Sequence, residues 1–275
     1  MAIRPRTAGL GAGACAAMLV VVWFASFHVP FFSHANQSIY LQFGDLQAHG
    51  RLDWIASHFV SPFDPNPYVY LALAPVAVAV LRGRPRSALA VIGILLGANV
   101  TTELLKHILA EPRLPFMPAP SWPSGHSTAV MSLALASVLA APTRLRPAAA
   151  ALGASLAIAV GYSVIATGMH YPSDVVGGFL VAATWTLLAV AALLAAERWR
   201  PSPTPGSGPL SIRAVLGAPG AVLLGALFLT AIVVLTRPHD VFDYARAHEA
   251  FLVGAAGIGA LGLALSTGVV LSVRR

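Results

Sequence analysis

The sequence predicts an all-helical protein that crosses a membrane several times. Of its 275 residues, 57% are hydrophobic and only 10% are charged, whereas an ordinary soluble domain is about 25% charged. So few charged side chains cannot cover the surface of a soluble protein of this size. In a bilayer a helix satisfies its backbone hydrogen bonds internally, so the apolar runs are expected to be helical. A soluble globular enzyme is therefore excluded, and the lipid bilayer is the expected surrounding.

Eight apolar runs, bounded by arginine, proline or interfacial aromatic residues, are candidate membrane-spanning helices. A helix needs about 20 residues to cross the hydrocarbon core, and the second and fourth runs are shorter than this. Between the first two runs, apolar residues recur at helical spacing over 39–59, which predicts helix lying on the outer membrane surface. The eight runs are 8–27, 67–81, 87–105, 127–141, 148–167, 174–196, 214–235 and 250–273.

A segment rich in proline, glycine and serine, residues 198–213, predicts a linker that divides the helices into two groups. The first group is a six-helix core, residues 1–197, and the second is a two-helix tail, residues 214–275. The second tail run carries small residues that favour close helix contact, so we expect the tail to have a packing role. These residues are Gly254, Ala255, Gly257, Gly259 and Gly262.

The basic residues predict the orientation of the chain in the plasma membrane. If all eight runs span, twelve arginines fall on one side and five basic residues on the other. The positive-inside rule then places both termini in the cytoplasm, with the first run kept as an uncleaved helix. The net charge of +7 comes from short arginine clusters between apolar runs, so no nucleic-acid partner is expected. The sequence does not indicate an oligomeric state.

Three outward-facing segments concentrate ionisable residues or residues that suit a phosphate. An ionisable side chain near a membrane span costs free energy, so each one is a functional candidate. Residues 106–115 contain a lysine at a helix end and an arginine between prolines. Residues 123–126 place Ser124 and Gly125 at a helix N-terminus, where free N–H groups suit a phosphate. In residues 170–174, Asp174 can accept the proton of one His170 ring nitrogen and leave the other nitrogen free to attack an electrophile.

These motifs resemble the three-part signature of the type 2 phosphatidic acid phosphatase (PAP2) superfamily, in order and in spacing. The resemblance covers roughly residues 87–196 and implies a six-helix membrane phosphatase with a phosphohistidine intermediate and no cofactor. His170 would be the nucleophile, Asp174 would orient it, and His126 would protonate the leaving oxygen. The phosphate-binding positions that match the signature are Lys106, Arg113, Ser124, the Gly125 backbone and Ser163.

The resemblance implies hydrolysis of a phosphomonoester or pyrophosphate of a membrane lipid at the outer leaflet. A polyprenyl pyrophosphate and a phosphatidyl-type phosphate both fit a site that opens into the bilayer. No metal is expected, because Asp174 is the only carboxylate in the second and third motifs and cannot hold Mg²⁺ alone.

The chain departs from the signature at two positions. Leu114 separates Arg113 from Pro115, where the family has Arg-Pro, and Val164 follows Ser163, where the family has arginine. Losing one charge-stabilising donor costs on the order of a hundred- to a thousandfold in rate. Three outcomes therefore stay open: a slow enzyme, an enzyme rescued by a cation elsewhere, or a catalytically silent protein that binds or transports lipid phosphates. A phosphotransferase that passes the phosphoryl group to an acceptor alcohol is a separate alternative. If Val164 only marks a lost cation, Val164→Arg should raise activity.

Overall fold

The computed structural model describes residues 4–45, 50–113, 116–117, 119–200, 210–236 and 238–273, and its regular structure there is helical without strands. The predicted all-helical fold class is confirmed. The α-helices are α1 (Pro5–His28), α2 (Pro30–Gly44), α3 (Gly50–Val60), α4 (Pro65–Leu81), α5 (Pro85–Leu109), α6 (Gly125–Ala140), α7 (Arg146–Ala166), α8 (Pro172–Trp199), α9 (Ile212–Thr236), α10 (Pro238–Ala247) and α11 (Glu249–Ser272).

Each predicted span coincides with one helix, and its ends agree with the helix ends to within four residues. Within the described part of the chain, six helical segments are long and apolar enough to cross a membrane, whereas α4 and α6 are shorter. Proline opens several helices at the first position, where its missing N–H costs no hydrogen bond. The long apolar segments belong to α1, α5, α7, α8, α9 and α11.

The segment predicted as surface helix forms two helices, α2 and α3. Helix α2 begins at Pro30, nine residues before the predicted start, because Val29 is extended and Pro30 fixes the first helical turn. Helix α10 was not predicted, since its ten residues contain no apolar run. Both α2 and α10 lie close to the first turn of α11, and Gln42 Oε1 accepts a 2.7 Å hydrogen bond from the Phe251 N–H.

Helices α6 and α8 cross in close contact near their N-termini. A Cβ placed on Gly178 of α8 would lie 2.8 Å from the Ser124 carbonyl oxygen and 2.9 Å from the Thr128 nitrogen. Only glycine allows this approach of two backbones. The contact fixes the first turn of α6 against the first turns of α8.

Helix α11 packs against α7 and α8. A Cβ on Gly262 would lie 2.8 Å from Ile158 and 3.5 Å from Phe179, and the Tyr162 hydroxyl donates a 2.5 Å hydrogen bond to the Ala255 carbonyl. Gly257, one of the predicted contact residues, has no atom within 4 Å of a Cβ. Residues 201–209 of the predicted linker lie outside the described part, and the division into core and tail stays a prediction.

Arginines bind the C-terminal carbonyls of helices at the end of the bundle opposite the α6 and α8 N-termini. Arg82 Nη1 donates to the Ala140 carbonyl at 2.7 Å, and Arg86 Nη1 donates to the Arg200 carbonyl at 2.6 Å. Arg146 donates in the same way to the Val273 carbonyl. Guanidinium groups satisfy otherwise unpaired carbonyls here and complement the negative ends of the helix dipoles.

Candidate active site

His170 lies in the turn between α7 and α8, at the end of the bundle where α6 and α8 begin. Gly168 ends the α7 region with a φ of 72°, and the His170 N–H donates to the Val164 carbonyl at 3.1 Å. His170 Nδ1 lies 3.3 Å from Asp174 Oδ2. Because a carboxylate only accepts, Nδ1 carries the proton and Nε2 keeps a lone pair available for attack.

Asp174 is fully buried and makes hydrogen bonds with both carboxylate oxygens. Oδ1 accepts from Arg113 Nη1 at 2.6 Å and from the Ser173 hydroxyl at 3.3 Å. Oδ2 accepts from the Ser121 hydroxyl at 2.8 Å and the Tyr171 N–H at 3.0 Å, in addition to His170. A buried carboxylate satisfied in this way holds its imidazole partner in one orientation.

Arg113 is the counterion of Asp174. Its guanidinium lies over the Phe27 ring at 4.1 Å and over the Tyr171 ring at 4.7 Å, and only 12% of its side chain is exposed. Nη2 also donates to the Ser173 hydroxyl at 3.4 Å. Arg113 therefore compensates the charge of Asp174 beside His170, and its predicted contact with phosphate stays a prediction. Leu114 and Pro115 lie outside the described residues.

Ser124 and Gly125 form the N-terminus of α6, as the sequence predicts. The Ser124 hydroxyl accepts a 3.3 Å hydrogen bond from the Ser127 N–H, and the residue is fully buried. Its hydroxyl therefore caps the helix. A Cβ on Gly125 would lie 3.2 Å from Lys106 Nζ, so the glycine lets this ammonium group approach the helix N-terminus. Lys106 also pairs with Glu103 at 2.7 Å.

The second histidine of the predicted site, His126, lies in the first turn of α6. The centroids of the His126 and His170 rings are 6.4 Å apart. His126 Nε2 lies 2.9 Å from Asp64 Oδ1, at the start of α4. The two imidazoles that the sequence assigned to one reaction are thus brought together, with Lys106 next to the same helix N-terminus.

The structure does not bring the Ser163 side chain into this cluster. Its hydroxyl donates to the Ala159 carbonyl at 2.8 Å, one turn earlier in α7. Val164 is fully buried within the hydrophobic core. At this position the structure has an apolar contact in place of the cation that the signature would supply.

Partners of the site outside the three predicted segments include Ser121, Asn36 and Asp64. Asn36 of α2 accepts from the Ser173 N–H and donates to the Ser173 hydroxyl, both at 3.0 Å, and so supports Asp174 from outside. Nothing in the local sequence marks this asparagine. Asp64 did carry a signal, because it is an ionisable residue three positions before a predicted span and on the same predicted face as the motifs.

An open groove of about 320 Å³ runs along α5 beside the Lys106–Glu103 pair. Two apolar and three polar side chains line it. Within the described residues, no group of three or more His, Cys, Asp or Glu side chains is arranged to hold a metal ion. The groove is lined by Asn99, Val100, Glu103, Leu104 and His107.

Comparison with known proteins gives a family match and a structure of similar fold. Residues 87–198 match the family model described as the PAP2 superfamily. A solved structure with a similar fold is the transmembrane PAP2 type phosphatidylglycerolphosphate phosphatase from Bacillus subtilis, with a TM-score of 0.55 and 16% sequence identity. The match covers 71% of this chain and 99% of that chain. No curated protein matches the chain in sequence.

Proposed function

We propose, on the premise that this chain carries a PAP2 superfamily domain over residues 87–198, that it is a membrane lipid phosphatase working through a phosphohistidine. The observation that carries the proposal is the pairing of His170 Nδ1 with Asp174 at 3.3 Å, opposite a second imidazole whose ring centroid is 6.4 Å away. This arrangement supplies both a nucleophile and an acid.

In the first half of the reaction, His170 Nε2 attacks phosphorus and the bond to the lipid oxygen breaks. That oxygen takes a proton from His126 and leaves as the alcohol of the lipid, or as its monophosphate when the substrate is a pyrophosphate. In the second half, water attacks the phosphohistidine, gives its proton to His126 and releases inorganic phosphate. The negative charge of Asp174 compensates the positive charge on His170 while the phosphoryl group is attached.

Positive charge for the phosphoryl oxygens comes from Lys106 and the N-terminus of α6. Phosphoryl transfer depends mainly on positioning and on such electrostatic stabilisation. Lys106 lies near Gly125 and pairs with the half-exposed Glu103. A phosphate dianion can displace Glu103 from this ion pair.

A lipid substrate is supported by the apolar surroundings of the site. The groove along α5 includes Glu103, the partner of Lys106, and the exposed side chains of Val100 and Leu104. An acyl or prenyl chain could lie along this groove while its phosphate reaches Lys106. We propose a phosphatidyl-type phosphate or a polyprenyl pyrophosphate as the substrate.

We propose further that the site faces the outer leaflet of the plasma membrane and that both termini are cytoplasmic. The arginine-rich ends of the helices lie opposite the site, which is the distribution that the positive-inside rule gives for this orientation. In a Cys15→Ala background, Glu111→Cys should react with an impermeant thiol reagent in intact cells, whereas Arg144→Cys should react only after lysis. The reverse labelling would overturn the orientation.

Phosphate release by the purified protein in detergent with EDTA tests the proposed reaction. The substrates are phosphatidate, phosphatidylglycerol phosphate and a polyprenyl pyrophosphate, and His170→Ala is compared with the exposed-histidine control His58→Ala. We expect release by the wild type and the control, inhibition by vanadate, and no release by His170→Ala. A folded wild type that releases no phosphate from any of them would overturn the proposal.

The buried Val164 favours a second candidate, a lipid-phosphate binding or transport protein without turnover. That protein would bind phosphatidate in vesicles equally well with and without His170→Ala and would release no phosphate. A phosphotransferase would instead move labelled phosphate to an added acceptor alcohol.

A further inference from the structure

At the start of α4, Asp64 pairs with a distant histidine and does not cap its own helix. Aspartate at a helix N-cap ordinarily accepts a hydrogen bond from the first turn of its own helix, which stabilises the helix by about 1 kcal/mol. Asp64 occupies this position and makes no such bond. Its Oδ1 instead lies 2.9 Å from Nε2 of His126, which is 62 residues away in sequence.

The Asp64 contact fixes which nitrogen of His126 can act. A carboxylate accepts and does not donate, so His126 Nε2 holds a proton directed at Asp64. Among the described residues, His126 Nδ1 has no hydrogen-bond partner. Nδ1 is therefore the ring atom that is free to exchange a proton with a substrate.

We propose that Asp64 is a positioning residue for the acid step, which orients His126 so that Nδ1 faces the leaving oxygen. This inference rests on the proposed function. As the bond between phosphorus and the lipid oxygen breaks, that oxygen takes the Nδ1 proton. The Nε2 proton stays on His126 and remains hydrogen-bonded to Asp64. When water attacks, its oxygen bonds to phosphorus, its proton goes to Nδ1, and the bond from phosphorus to His170 breaks.

This role predicts an effect that depends on the leaving group. A lipid alkoxide is strongly basic and needs a proton as it leaves, and a positioned acid accelerates such steps about a hundred- to ten-thousandfold. Nitrophenolate is weakly basic and leaves without one. Because the water step is common to all substrates, the dependence is confined to formation of the phosphohistidine. Loss of the Asp64 contact should therefore slow phosphohistidine formation from phosphatidate and spare its formation from p-nitrophenyl phosphate.

The experiment compares Asp64→Asn with the wild type on both substrates, using the full-length protein in detergent. Asp45→Asn is the matched control, because Asp45 pairs with another histidine, His248, at 3.5 Å. The rate compared is the single-turnover release of the leaving alcohol, which reports phosphohistidine formation alone. We expect Asp64→Asn to lower its maximal value for phosphatidate ten- to a hundredfold with the half-saturating concentration within about twofold, and to keep nitrophenolate release within about threefold. Asp45→Asn should leave both rates unchanged.

A double variant tests whether Asp64 acts through His126. His126→Ala should show the same dependence on the leaving group, and adding Asp64→Asn to it should cause little further loss, because the two act as one unit. Equal losses on both substrates, no loss, or multiplied losses in the double variant would overturn the proposal. If the wild type hydrolyses neither substrate, the proposed function fails and this inference fails with it.

Discussion

Gly178→Ala tests whether the contact between α6 and α8 positions the site. The added methyl group would lie 2.8 Å from the Ser124 oxygen, 2.9 Å from the Thr128 nitrogen and 3.0 Å from the Ser127 Cβ. Two of these atoms belong to the backbone, so no side chain can rotate away. The helices must separate by several tenths of an ångström to restore ordinary contacts.

The free energy of unfolding receives two opposing contributions from Gly178→Ala. Overpacking a tight contact costs about 1–3 kcal/mol, and alanine in a helix is favoured over glycine by about 1 kcal/mol. We therefore expect a net destabilisation of about 0–2 kcal/mol. The effect on activity should be larger, because misplacing a reacting group by about 1 Å can cost about a hundredfold in rate. His126 lies in the α6 turn that would move.

The assays are thermal unfolding in detergent and phosphate release from phosphatidate. Gly93→Ala in α5 is the matched control, because a Cβ there has no atom within 4 Å. The control should keep full activity and gain slightly in stability. If Gly178→Ala matched Gly93→Ala in both assays, the reasoning from this contact would be refuted.

Three further predictions concern the surroundings of His170 and use the same two assays. Val164→Arg should lower the unfolding temperature and the activity, because a buried, unpaired charge costs several kcal/mol; activity above the wild type would show that only a cation was missing. Asn36→Ala should destabilise by about 1–3 kcal/mol and slow phosphate release, because the buried Ser173 N–H loses its acceptor; wild-type values in both would contradict this. Tyr40→Phe should cost only about 0.5–1.5 kcal/mol, since one hydrogen bond to the Gly168 carbonyl is lost, and a larger loss would mean that the ring has also moved.

The membrane-spanning helices could be predicted from the sequence because a helix that crosses lipid needs about 20 residues with few charged side chains. Long uncharged runs are the only segments that satisfy this requirement, and the eight runs became eight helices. The helix α2 was only partly predicted, since its start depends on Pro30 rather than on apolar residues. Helix α10 was not predicted at all, because it is short and polar.

The candidate site could be predicted in part, because motif spacing indicates which residues belong together without indicating their contacts. His126, His170 and Asp174 do lie together in the structure. The pairing of Arg113 with Asp174 and of Asp64 with His126 depends on how four separate helices and turns meet. Spacing along the chain carries no information about such contacts between distant segments.

The packing of α11 has a consequence for how the protein is made. Ile258 and Gly262 of α11 fill the surface of α7 and α8 around Gly161 and Phe179, just behind the turn that carries His170. Ile258 is roughly 60 residues later in the chain than the end of α8, so the ribosome needs about 3–12 s to reach it at 5–20 residues per second. During that interval lipid must cover the surface that α11 later takes, and the end of the bundle that holds His170 reaches its final packing only after α11 has inserted.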